Sequence, residues 1–212
     1  MIFRLDERLL FPDPALAEED GLLAIGGDLS VNRLLLAYQN GIFPWYSEDE
    51  PILWFSPHQR CVLYPQQLYI SKSMLRVVRS GTFTLTLNKS FDEVIEACSA
   101  VFREGQDGTW ITGDMKAAYR NLHKEGHAHS VEVWQDGQLV GGLYGVQVGS
   151  VFCGESMFSK VSNTSKTALI WLCQTGKYDL IDCQVHTKHL ASMGAKMISR
   201  EEYMAALHKT IA

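Results

Sequence analysis

The sequence predicts an α/β (α+β) fold in which a small N-terminal domain, residues 1–60, precedes a larger domain, residues 61–212, built on a mixed sheet flanked by helices. Three observations carry this prediction. The chain has 212 residues, 46% of them apolar and 20% charged, which is ordinary for a globular protein with a core of its own. Residues 1–60 are rich in turns and poor in periodic patterning. From Cys61 onward, runs that alternate with period two take turns with runs of helical period.

In the first domain, Phe11-Pro12-Asp13-Pro14 is extended, because each proline restricts the residue before it. Gly26-Gly27-Asp28 reads as a turn that lacks the preceding strand and the spacing of a phosphate-binding fingerprint. Ser30 caps a helix over Val31–Asn40, which Gly41 stops. Phe43-Pro44-Trp45-Tyr46 and Ile52-Leu53-Trp54-Phe55 then bracket an acidic loop. In the second domain, Phe83–Leu87 alternates as a strand, Ser90 caps a helix over Phe91–Arg103, and Thr112 or Asp114 starts another that runs to Lys124. Ser130–Trp134, Leu139–Val148 and Val151–Glu155 form an antiparallel meander whose first turn is Gln135-Asp136-Gly137-Gln138. A helix begins at Asn163 or Ser165 and reaches about Gln174. Asp179–Val185 is a strand, a short helix lies near Thr187–Met193, and Arg200–Ile211 is the last helix.

Several function classes drop out. Asp6 and Glu7 interrupt what would have to be the apolar part of a signal peptide. The uncharged run Gly137–Gly154 contains six glycines together with Gln138 and Gln147, and reads as buried strands rather than a membrane span. Five cysteines with no C-x-x-C pair point to a reducing compartment and away from a disulfide framework or zinc ribbon. The net charge of −5 is unevenly placed: residues 1–60 hold 4 Lys/Arg against 10 Asp/Glu, and residues 61–212 hold 15 against 14. Lys72, Arg76 and Arg79 fall at i, i+4 and i+7, on one face if Ser71–Ser80 is helical. Such a stripe fits a phosphate track or an ordinary solvated face.

Four groups of residues could carry chemistry. Asp182 and Gln184 share one face of a strand by simple alternation, with Cys183 on the other. Polar groups there must be paired or reach solvent at the strand end. Glu155, in Phe152-Cys153-Gly154-Glu155-Ser156-Met157-Phe158, ends an apolar run, as a substrate-binding carboxylate or a structural ion pair would. Trp110, in Gly108-Thr109-Trp110-Ile111-Thr112, and Trp45 suit either base stacking or the core. His123, His127 and His129 have a hint of metal spacing, but Gly126 breaks the helix between them and no fourth ligand is fixed nearby. A thiol nucleophile from Cys183 and His186 is disfavoured by their opposite strand faces.

Six collinear blocks resemble the leucyl/phenylalanyl-tRNA–protein transferases: Gly21-Leu22-Leu23-Ala24-Ile25-Gly26-Gly27-Asp28-Leu29, Gly41-Ile42-Phe43-Pro44-Trp45, Gly108-Thr109-Trp110-Ile111-Thr112, Gly126-His127-Ala128-His129-Ser130, Phe152–Phe158 and Ile181-Asp182-Cys183-Gln184. The resemblance runs from about Phe11 to Tyr203. It implies a cytoplasmic bacterial enzyme, with no membrane partner, that transfers Leu or Phe, and less readily Met, from aminoacyl-tRNA to proteins or peptides beginning with Arg or Lys, a mark for N-end rule degradation. The implied fold is a small N-terminal domain followed by one similar to the GNAT acetyltransferases.

Those acetyltransferases hold the CoA pyrophosphate on a glycine-rich turn, whereas Phe158–Lys166 has no glycine, so neither CoA nor any other cofactor or metal is expected. His186-Thr187-Lys188 stands where the family more often has Leu-Asn-Asp. The resemblance further implies that Asp182 polarises Gln184 or takes the proton of the attacking amine directly, while Glu155 helps to hold the cationic acceptor. Trp45 and Trp110 would stack on the aminoacyl-adenosine end. Leu143, Phe152, Ser156, Met157 and Leu172 would line the donor side-chain pocket, and Lys72, Arg76 and Arg79 would meet tRNA phosphates.

Overall fold

Short strands hidden among the turns of the first sixty residues assemble a sheet of their own. The computed structural model describes residues 2–101 and 109–211. In it β1 (Phe3–Leu5), β2 (Leu22–Gly26), β3 (Phe43–Pro44) and β4 (Leu53–Phe55) form a sheet in the order β1-β2-β4-β3, with α1 (Val31–Gln39) between β2 and β3. Gly26-Gly27 therefore does follow a strand, contrary to the sequence reading. Leu22-Leu23-Ala24-Ile25 is wholly apolar and too short for periodicity to separate strand from helix. Both glycines have left-handed backbone, and a Cβ on Gly27 would meet the Arg33 side chain at 3.2 Å.

The larger sheet draws on β5 (Gln59–Leu63), α2 (Lys72–Arg79), β6 (Thr84–Leu87), α3 (Phe91–Ser99), α4 (Gly113–Lys124), β7 (Ala128–Gln135), β8 (Gln138–Val148), β9 (Val151–Ser159), α5 (Thr164–Gln174), β10 (Leu180–Gln184), α6 (Lys188–Ala191), β11 (Lys196–Ser199) and α7 (Arg200–Ile211). Its seven strands run β11-β5-β10-β9-β8-β7-β6, with β9 and β10 parallel and the other pairs antiparallel. The mixed α/β fold expected from the sequence is the fold observed.

Local chemistry sets the element ends. The hydroxyls of Ser30, Ser71 and Thr112 each accept the main-chain N–H three residues on, starting α1, α2 and α4. Thr112 is thus the cap that the sequence left open against Asp114. Ser90 precedes α3 but makes no capping bond. Instead Glu132, fully buried in β7, accepts the N–H groups of Lys89 and Ser90 and the hydroxyls of Thr86 and Ser130. This carboxylate gathers donors just ahead of α3, not the first-turn N–H groups that a capping serine would meet. Helix α3 stops at Ser99, short of the expected Arg103, which lies outside the described residues, as does Gly108. The hairpin turn after β7 has left-handed Asp136 and Gly137, as its sequence requires.

Apolar faces of α1, α3, α4 and α7 cover one side of the sheet, and those of α2, α5 and α6 cover the other. Between them lies the feature that positions the site. The parallel pairing of β9 with β10 stops at Cys153–Asp182, yet β9 continues to Ser159 and β10 to Gln184. Beyond the last paired residues the two strands part, and their inner edges become the walls of a cleft.

Candidate active site

The cleft is closed by Phe43, Pro44 and Trp45 and by Trp110, giving a cavity of about 520 Å³. Its lining is mostly apolar: Leu143 and Phe152 come up from the sheet, Met157 from β9 beyond its pairing with β10, and Leu169 and Leu172 from α5. Glu155, Gln184 and Ser156 are among its polar lining. A mostly apolar pocket with a few convergent polar groups is the usual form of a small-molecule site. Every substrate-binding residue expected from the sequence, namely Trp45, Trp110, Leu143, Phe152, Ser156, Met157 and Leu172, borders this one cavity, as do Asp182, Gln184 and Glu155.

Glu155 is only 8% exposed. Its Oε2 accepts the hydroxyl of Tyr119 at 3.0 Å and its Oε1 accepts the Gln184 amide Nε2 at 3.0 Å. Tyr119 in turn shares a 2.5 Å hydrogen bond with Tyr38 of α1. Burial pushes the Glu155 carboxyl up to about 7, with the Asp182 charge adding to the rise. The hydrogen bonds from Tyr38 and Tyr119 and the charge of Arg60 pull in the opposite direction. The result is a carboxyl whose proton exchanges near neutral pH, facing a cavity.

Asp182 is different. It is fully buried, and both its oxygens are occupied. Arg60 reaches it through Nε at 3.0 Å and Nη2 at 2.9 Å, Tyr203 donates its hydroxyl to Oδ2 at 2.9 Å, and the Gln184 main-chain N–H donates to Oδ1 at 2.8 Å. The expected contact between Asp182 and Gln184 thus exists, but it reaches the Gln184 backbone; the carboxamide turns to Glu155 instead. The simple alternation expected along this strand fails at the same point. Register shifts between Asp182 and Gln184, and Gln184 has φ +59. A bulge re-aims the glutamine side chain into the cleft.

Trp45 is 41% exposed and lies tilted against Phe55, with ring centroids 5.9 Å apart. Trp110 is half-buried against the core. Lys72, Arg76 and Arg79 are exposed along α2, whose Met74 is buried, and they lie outside the cavity wall. The histidines have separate partners. His123 stacks on Phe91 and bonds the Ala128 carbonyl, whereas His129 meets the Asn88 amide. Among the described residues no group of three or more His, Cys, Asp or Glu could hold a metal. All five cysteines are free thiols. Thr187 caps α6, and His189 of that helix borders the cavity.

Sequence reasoning missed Arg60, Tyr38, Tyr119 and Tyr203. Each is a common residue in an unremarkable local pattern, and its partner lies far away in the chain: Arg60 is 122 residues from Asp182 and Tyr38 is 81 from Tyr119. An aspartate flanked by apolar residues on both sides, at Asp182, was the one available signal of a buried pair, and nothing around Arg60, which follows Gln59, marked it as the partner.

Residues 62–208 match the family model described as "Leucyl/phenylalanyl-tRNA protein transferase", and residues 27–58 match the one described as that family's N-terminal domain. The chain is 55% identical over 209 residues to the leucyl/phenylalanyl-tRNA–protein transferase of Flavobacterium johnsoniae, covering 97% of this chain and 99% of the relative. It is 54% identical to that of Syntrophus aciditrophicus, covering 98% and 88%. Among solved structures, FemX aligns over 84% of this chain and 70% of its own at 11% identity with a TM-score of 0.52, a likeness of fold alone. No described helix is long and apolar enough to cross a membrane.

Proposed function

Because the chain belongs to the leucyl/phenylalanyl-tRNA–protein transferase family, we propose that its cavity brings an aminoacyl ester and a protein's α-amino group together for aminolysis. The chain is an aminoacyltransferase that moves Leu or Phe from aminoacyl-tRNA to proteins beginning with Arg or Lys, the mark read by the N-end rule pathway. The proposal extends to Met as a poorer donor, to a cytoplasmic setting, and to a small unit ending at residue 60.

The neutral amine attacks the carbonyl carbon of the ester. A C–N bond forms, the bond to the ribose oxygen breaks, the amine gives up a proton, and the departing oxygen takes one. The ester is already activated, so the step calls for orientation and proton traffic rather than ATP, CoA or a metal. The turn before α5 supports the absence of CoA. There Thr164, not a glycine, fills the space, bonding the carbonyls of Val140 and Val161, and its side chain presses on Gly141.

In this reading the donor side chain lies among Leu143, Phe152, Met157 and Leu172, with Ser156 near its polar end, and Trp45 and Trp110 flank the adenosine. Gln184 gives its Nε2 to Glu155 and presents its carbonyl oxygen to the attacking amine. Glu155, titrating near 7, receives the amine's proton and balances the acceptor's positive charge. Asp182, with its oxygens engaged, holds the backbone of Gln184. Lys72, Arg76 and Arg79 follow tRNA phosphates. The pairing of Gln184 with Glu155 on the wall of a mostly apolar cavity supports this reading most. The test is single-turnover transfer from Leu-tRNA to an Arg-starting peptide, read by mass. A Leu-extended peptide from the native chain, lost in Gln184→Ala and Glu155→Gln, is the expected result. Full transfer by both variants overturns the site assignment, and acetylation of the peptide from acetyl-CoA overturns the reaction class.

A further inference from the structure

We infer that Arg60 is a positioning residue for transfer: its guanidinium fixes the Gln184–Glu155 pair relative to the Phe43-Pro44-Trp45 wall of the cavity. This rests on the role of Gln184 proposed above.

Arg60 stands at the start of β5, between the two sheets, and is 2% exposed. All three nitrogens of its planar fork are engaged. Nε and Nη2 hold Asp182, while Nη1 donates to the Gly41 carbonyl at 3.2 Å. The rings of Phe43 and Tyr203 sandwich it, each with its centroid 4.7 Å from the guanidinium carbon. A buried ion pair is poor evidence of stability, because apolar residues of similar volume often serve as well. What apolar residues cannot supply is three directional bonds from one rigid group.

Those bonds join the two halves of the site. On one side Arg60 fixes Gly41 and Phe43, which lead directly into Pro44 and Trp45 of the cavity wall. On the other it orients Asp182, whose Oδ1 holds the N–H of Gln184 in a left-handed conformation that glutamine seldom adopts. From there the Gln184 amide reaches Glu155. Donor wall and amine-handling groups come from opposite ends of the sequence, and one guanidinium sets their spacing. Lysine keeps the charge but is a point donor on a flexible stem, and cannot span Asp182 and Gly41 with the same geometry.

The experiment is a double-variant cycle in single-turnover transfer at saturating donor and acceptor, with Arg60→Lys, Gln184→Ala and both together, below the melting temperature of each. Arg60→Lys should lower kcat about 100-fold, the scale of a misplacement of about 1 Å. Adding it to Gln184→Ala should cost little more, because it acts through that residue. A folded Arg60→Lys with normal kcat, or losses that multiply in full, overturns the proposal while leaving Gln184 in place. A normal rate for Gln184→Ala overturns the earlier reading, and this inference with it. If Arg60→Lys does not fold, the pair Arg60→Met with Asp182→Asn, which buries no charge, replaces it. That pair keeps an acceptor for the Gln184 N–H but severs Gly41, so donor KM should rise about tenfold or more; an unchanged donor KM and kcat overturns the proposal.

Discussion

Replacing Glu155 by glutamine should invert its effect on stability between acid and alkaline pH while removing most activity. In the folded chain the carboxyl titrates at about 7, against its ordinary 4.5. Between those values the folded state binds more protons than the unfolded one, so stability falls as pH rises through the window. Once both states are ionised, the cost to the folded chain is about 3 kcal/mol. Of this, about 2 kcal/mol develops between pH 5.5 and 8.5. Glu155→Gln abolishes that slope. It also leaves a single carbonyl oxygen where Tyr119 and Gln184 both donate, and the NH₂ group then faces a donor, at about 1–3 kcal/mol. The variant should therefore be less stable than the native chain at pH 5.5, and should draw level with it or surpass it by pH 8.5. Urea unfolding at a series of pH values reads the difference directly. Transfer should fall by about 10²–10⁴, the usual share of general acid–base assistance. The rise in rate near pH 7 should vanish, leaving only the limb of the acceptor amine near 7.7–8. Parallel stability curves for the native and variant chains would refute the buried, perturbed carboxyl. A variant that kept the limb near pH 7 would refute its part in proton transfer.

Asp182→Asn, nearly isosteric, should nevertheless lose about 3–5 kcal/mol in thermal or urea unfolding, because it leaves the Arg60 charge buried without its counterion. Unchanged stability would mean that the pair is not what holds β5 to β10. Trp45→Ala should raise donor KM about 5- to 150-fold, the worth of about 1–3 kcal/mol for a stacking contact. It should leave the melting temperature nearly unchanged, since the side chain is 41% exposed. Trp110→Ala should show the same KM effect with an added loss of stability, because that ring also packs on the core. For Arg76→Glu on the exposed face of α2, weaker tRNA binding should come with a salt dependence of log K lowered by about 0.7–0.9 per lost phosphate contact; identical salt slopes would make the stripe a solvated surface. Val-tRNA should transfer more slowly than Leu-tRNA in competition, because β-branching crowds the cavity near Cβ.

Much of this protein was legible in one dimension. The cap at Ser30, the turn at Asp136-Gly137 and the apolar alternation of the meander are local, and local rules located them, while the start of α4 was narrowed to Thr112 or Asp114. The cavity-lining residues Leu143, Phe152, Met157 and Leu172 belong to such patterned segments, and the motif blocks containing Trp45, Trp110, Glu155, Asp182 and Gln184 carried the family resemblance. The strands of the first sixty residues were not legible, because each spans two to five residues and is stabilised by its partners rather than by its own pattern. Nor were the roles within the site. Whether a carboxylate is a base or a counterion depends on what surrounds it, and those partners were brought together only by tertiary structure. Asp182 is consumed by Arg60 and Tyr203, and Glu155 is raised by burial against the opposing pull of the Tyr38 and Tyr119 hydroxyls. The bulge that turns Gln184 from one face to the cleft has no sequence signature. It arises where β10 leaves its pairing with β9, and the energy that holds it comes from Asp182 and, through it, from Arg60 at the other end of the chain. Sequence determined which groups could do the chemistry, because side-chain identity is local. Tertiary structure decided which of them is free to do it, because solvation and pairing are set by neighbours distant along the chain.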